Sequence, residues 1–162
     1  MEKELKPWIT FSPLHKNDTE SEIIQKLFNL IYDSKCVKDK KEFEKVMKET
    51  MLRKNGKIND LLTVFHAQTE TVNHLCASVI AGKNGRTYAM VAYTQPSDFC
   101  LKRLSLLLEG LTDYTSTGYI RLQKSDSSKE PELSDIFPPA FLQKKDISFY
   151  DYEEKFLNEG LI

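Results

Sequence analysis

The chain has 162 residues, 40% of them hydrophobic and 29% charged, a size and balance that suit one globular domain with a core of its own. Formal net charge is −1, from 23 basic and 24 acidic residues, so no cationic surplus draws the chain toward nucleic acid or an anionic membrane surface. No apolar run is long enough to cross a bilayer, and Met1–Pro7 is charged rather than apolar, which predicts a cytoplasmic protein without membrane insertion. The three cysteines, Cys36, Cys76 and Cys100, form no CxxC and have no histidine close by in sequence. That pattern predicts reduced thiols and neither a disulfide framework nor a zinc site.

Ile9–Leu14 reads as a short strand, limited by Pro13. Thr19 with Glu22 three residues later has capping-box spacing, and Ile23, Ile24, Leu27, Phe28, Leu30 and Ile31 then recur at helical intervals. A second helix is predicted from Asp39, again with a glutamate three residues on, and with Phe43, Val46, Met47 and Met51 on its apolar face. It should stop near Lys54-Asn55-Gly56, since Asn and Gly tolerate a left-handed backbone. Cys36 and Val37 join the two helices.

The period then changes. Leu61–Phe65 is apolar and β-branched and reads as a buried strand with His66 at its end. Cys76–Ala81 and Thr87–Tyr93 are two further strands, and Asn84-Gly85 between them signals a hairpin. Gln95–Asp98 caps a third helix whose apolar stripe is Leu101, Leu104, Leu107, Leu108 and Leu111. Tyr119–Gln123 is compatible with strand or helix, Ser125–Pro131 with a loop, and Ile147–Leu157 with a docked or mobile terminal segment. The fold class expected is α/β in the broad sense, an α+β sandwich with a mixed sheet and a central hairpin covered by helices. Residues 1–136 make the domain and 137–162 a C-terminal extension.

His66 is the residue that draws chemistry. A strand end is a rigid platform, Ala67 after it is small, and a neutral imidazole is a nucleophile near neutral pH. The other histidines are less placed for it: His15 follows Pro13-Leu14 in a turn, and His74 precedes the Cys76 strand.

The segment Leu62-Thr63-Val64-Phe65-His66-Ala67-Gln68-Thr69-Glu70-Thr71-Val72 resembles the phosphorylation motif of the sugar-type (mannitol/fructose, type-2) enzyme IIA family of the bacterial phosphotransferase system. Upstream, Ile24–Met51 with its Val37-Lys38-Asp39 link resembles the family's opening helix pair. Downstream, the strand, strand, helix order also follows the family, so that the likeness spans roughly residues 5–136. The resemblance implies an enzyme IIA-like fold and a phosphocarrier needing no cofactor and no metal. His66 would take a phosphoryl group from the phosphocarrier HPr and pass it to an enzyme IIB domain or permease in sugar uptake or its regulation.

The resemblance also locates departures. Phe65 stands where the family has proline. Thr50 falls at the place of a family arginine, with Arg53 close behind, and Cys100 falls at or near a second family histidine. Thr50, Arg53, His74 and Cys100 are thus the phosphoryl-stabilising candidates, with Lys54, Lys57 and Arg86 as further candidates to stand in for a missing arginine. Two other readings stay open: an enzyme IIA-like module with degenerate chemistry that regulates by docking on other proteins, and an unrelated α+β interaction protein in which His66 is structural.

Overall fold

A computed structural model describes residues 8–15, 17–94 and 98–137, with the backbone alone for Asp98 and Phe99. The elements in chain order are β1 (Ile9–Pro13), α1 (Glu20–Asp33), α2 (Lys40–Arg53), β2 (Leu62–Gln68), β3 (Cys76–Ala81), β4 (Thr87–Tyr93) and α3 (Asp98–Asp113). A π-helical turn at Tyr114–Gly118, α4 (Tyr119–Ser125) and the single turn α5 (Leu133–Ile136) follow.

Both early helices begin where their caps require. The Thr19 hydroxyl accepts the Glu22 amide at 3.2 Å, and the Asp39 carboxylate accepts the Glu42 amide at 3.1 Å. Each satisfies an amide that the first helical turn would otherwise leave without a partner. Ile23, Leu27, Phe28 and Ile31 of α1 and Phe43 and Met47 of α2 are buried together on one face of the sheet. Complete burial of each such side chain contributes about 1.5–3 kcal/mol.

The four strands form one mixed sheet in the order β1-β3-β4-β2. β1 runs parallel to β3, β3 antiparallel to β4, and β4 parallel to β2. Every residue of β3 is buried, as is β4 up to Ala92, because both strands are central and helices cover both faces. α1 and α2 cover one face over Phe65, Ala67, Ile80, Met90 and Ala92. α3, the π-helical turn and Phe137 cover the other over Leu62, Val64, Val79, Ala89 and Val91. The mixed α/β class with a central hairpin is therefore observed. Gly85 in the β3–β4 turn has φ +87°, a value that favours glycine over any side-chain-bearing residue.

Two sequence expectations change, and one left open between strand and helix is decided. β2 continues to Gln68, so His66 lies within the strand and not at its end. Tyr119–Ser125 is helix, continuing directly from the π-helical turn, for which the sequence carried no signal. The thiols of Cys36 and Cys76 are joined in a disulfide, which overturns the expectation of reduced thiols at these positions; Cys100 is buried and takes no part in that disulfide. The two partners are separated by 40 positions, and only the crossing of the α1–α2 link with the start of β3 makes them neighbours. Two backbone hydrogen bonds reinforce that crossing, from the Asn73 amide to the Cys36 carbonyl at 2.9 Å and from the Lys38 amide to the Thr71 carbonyl at 2.7 Å.

The expected C-terminal extension falls outside the described residues except for Phe137. That residue is 2% exposed and packs against Gly110, where an added Cβ would lie 2.6 Å from its ring. The predicted cap at residues 95–97 also falls outside them. No helix among the described residues is long and apolar enough to cross a membrane.

Candidate functional site

β2 is an edge strand, and its side chains alternate between the two faces. Leu62 and Val64 point to the α3 face and are buried there, whereas the next two positions on that face, His66 and Gln68, are exposed. The apolar cover of this face thus ends at Val64. The His66 imidazole makes no hydrogen bond to another described residue.

The loop 54–60 wraps the outer edge of β2. The Val64 amide donates to the Gly56 carbonyl at 2.8 Å and the Ile58 amide to the Leu62 carbonyl at 2.8 Å, a short antiparallel attachment to the strand. Gly56 permits it with φ +75°. Asn59 locks the far end of the loop. Its carboxamide oxygen accepts the Leu61 and Leu62 amides at 2.8 and 2.9 Å, and its NH2 donates to the Thr115 hydroxyl at 3.3 Å.

Between this loop, the end of α2 and β2 lies an open cleft of about 450 Å³. Its lining brings His66 together with Thr50, Arg53, Lys54 and Lys57 and contains no carboxylate. Three cations thus share the lining of one cleft with exposed His66. Arg53 and Lys54 sit at the C-terminal end of α2, where their charge also offsets the negative end of the helix dipole. Lys57 is held only loosely, 3.8 Å from an Asp60 carboxylate that is itself wholly exposed, a geometry that leaves its ammonium available.

The sequence candidates divide. Thr50 and Arg53 reach the cleft, but the Thr50 hydroxyl already donates to the Val46 carbonyl at 2.9 Å, so its proton is committed to the helix. Cys100 is fully buried in the apolar core beneath α3 and does not line the cleft. His74 does not line it either; it precedes β3, with Nδ1 3.1 Å from the Leu75 carbonyl, and burial holds its pKa below the usual imidazole value. Arg86 lies elsewhere, its guanidinium directed at the Tyr88 hydroxyl from Nε at 2.9 Å. Lys54 and Lys57 are the cations whose place beside His66 the sequence left open among several. Their signal was proximity to the predicted stop of α2.

Chemically, the cleft can hold an oxyanion against an imidazole. Guanidinium and ammonium groups stabilise phosphoryl oxygens by charge, and arginine adds a planar fork of donors. Among the described residues no group of three or more His, Cys, Asp or Glu is arranged to hold a metal ion. Against models of known protein families and against curated protein sequences, the chain finds no match.

Proposed function

We propose that this protein is a phosphocarrier of the enzyme IIA type, in which His66 accepts a phosphoryl group from an HPr-like donor and hands it to an enzyme IIB-like acceptor. The observation that carries the reading is the cleft in which exposed His66 meets Arg53, Lys54 and Lys57 with no carboxylate in the lining. The resemblance of Leu62–Val72 to the family's phosphorylation motif agrees with it.

In this reading a nitrogen of the His66 ring attacks phosphorus as the donor's own phosphorus–nitrogen bond breaks, and the second transfer repeats the exchange toward the acceptor. The protein's work is positioning and charge stabilisation. β2 is held by β4 along its whole length, so the ring is presented from a rigid base. Arg53 neutralises the equatorial oxygens in place of the arginine that the family carries where Thr50 stands. Lys54 and Lys57 add charge from the loop.

A second reading is favoured by Cys100. The place of the family's second histidine is occupied by a thiol buried in the core, so no imidazole partner comes from α3 at that position. With one stabilising donor gone, the chain would be a regulatory docking module of enzyme IIA-like fold whose partners sense phosphorylation at His66.

Incubation with phosphoenolpyruvate, enzyme I and HPr separates the two. Acid-labile label that disappears in His66→Ala supports the phosphocarrier. Absence of label with HPr from several sources favours the docking module.

A further inference from the structure

Among the described residues, only half of the outer edge of the strand that carries His66 is covered. The Thr87 amide donates to the Leu61 carbonyl and the Thr69 amide to the Tyr93 carbonyl, each at 2.8 Å, so the odd-numbered residues of β2 turn their main chain toward β4. The even-numbered residues face outward. Leu62 and Val64 are taken by the loop through Ile58 and Gly56. The next two, His66 and Gln68, pair with no main-chain group of the described residues. An exposed strand edge of this kind is a template for an added strand.

Two further features surround the opening. The cleft beside it is lined by Arg53, Lys54 and Lys57 without a carboxylate. Ile58 lines the cleft at 54% exposure, and Leu52, which precedes Arg53 in α2, is 89% exposed. Leucine and isoleucine held this far into water beside a cationic cleft match a partner that brings both apolar and acidic groups.

We infer that an extended, acidic segment of a partner protein, with apolar residues alternating with its carboxylates, adds to β2 alongside His66 and Gln68. Its main chain bonds the open edge, its carboxylates meet Lys54 and Lys57 of the loop and leave Arg53 to the phosphoryl group, and its apolar side chains cover Leu52 and Ile58. The His66 ring projects to the α3 face, perpendicular to the added strand, and stays accessible. The inference deepens the phosphocarrier reading and rests on it for its purpose, since a docked segment would hold donor or acceptor beside the ring.

A short fluorescein-labelled peptide of alternating Glu and Val is the probe, with a Lys–Val peptide as control. The expected result is saturable binding of the acidic peptide, weakened by salt, with new hydrogen-exchange protection at the His66 and Gln68 amides. Lys57→Glu should weaken it roughly tenfold, about the size of one lost charge pair, and Leu52→Asp should weaken it as well. Circular dichroism checks that both variants fold, and Lys57→Gln repeats the measurement with a milder change. Equal binding of the Lys–Val peptide, or protection that leaves His66 and Gln68 unchanged, overturns the inference. Phosphoramidate, a small phosphodonor that needs no docked protein, is used in parallel on the wild-type chain. Label on His66 without peptide binding removes the dock alone, whereas peptide binding without label removes the phosphocarrier reading and leaves the dock.

Discussion

Gly56 and Val64 are bonded so closely that no side chain fits between them: the Val64 amide donates to the Gly56 carbonyl at 2.8 Å, and a Cβ on Gly56 would stand 2.7 Å from the Val64 carbonyl oxygen. This contact sets the distance between the cationic loop and the strand that presents His66.

Gly56→Ala is therefore expected to cost stability twice, through a left-handed backbone and through a clash with main chain. The backbone term alone is about 1–2 kcal/mol. Denaturant unfolding should show the loss. If the loop relaxes outward instead, phosphoryl labelling of His66 should fall more than stability does. A variant as stable and as readily labelled as wild type would mean that the contact does not govern the cleft.

Arg53→Ala should slow labelling of His66 by roughly 10²–10³-fold, the size of effect typical for a single lost stabilising donor. Thr50→Ala should change labelling far less, because its hydroxyl proton serves the Val46 carbonyl. Single-turnover rates with HPr as donor measure both. Equal effects of the two substitutions would contradict the roles assigned to them.

The Cys36–Cys76 bond closes a long loop that contains α2 and β2. In the chain-entropy picture, a loop of this length makes its disulfide worth about 4 kcal/mol. Cys36→Ser should lower the denaturation midpoint accordingly, and reductant should bring the wild type down toward the variant. Thiol titration of the unfolded, unreduced chain should find Cys100 alone. Reaction at all three cysteines would show that the pair is not joined in solution.

His74 makes stability depend on pH. Burial lowers its folded-state pKa below the ordinary imidazole value of 6.5, with the Leu75 carbonyl opposing in part. The unfolded chain therefore binds more protons in the window below that value. The contribution is complete above about pH 6.5, the unfolded value. It is lost as pH falls toward and through the depressed folded value. His74→Gln should flatten this part of the stability profile in urea titrations at stepped pH. An unchanged slope would assign the acid sensitivity to other groups.

Local elements were legible because their causes are local. Thr19 and Asp39 mark helix starts through bonds to residues three positions on, and Asn84-Gly85 marks a hairpin through its own backbone preference. The π-helical turn was hidden, because its Thr115 hydroxyl bonds the Leu111 carbonyl and Asn59 from a distant loop bonds that hydroxyl. Tyr114 likewise donates to the Gly82 carbonyl at 2.8 Å, a partner 32 positions away. Among the candidates, His66 drew notice from its strand and Arg53 from its nearness to Thr50, and both line the cleft. Cys100 and His74 were not separable from them by position along the chain, since burial depends on what packs above.

Sequence by itself determined the succession of helices and strands, the central hairpin and the strand that carries His66, because periodicity, caps and turn residues act over a few positions. Tertiary structure alone decided that Arg53, Lys54 and Lys57 line one cleft with His66, that Cys100 turns into the core, and that Cys36 meets Cys76. Those are consequences of strand order and of the loop returning along the edge of β2, relations between segments far apart in the chain that no local preference encodes.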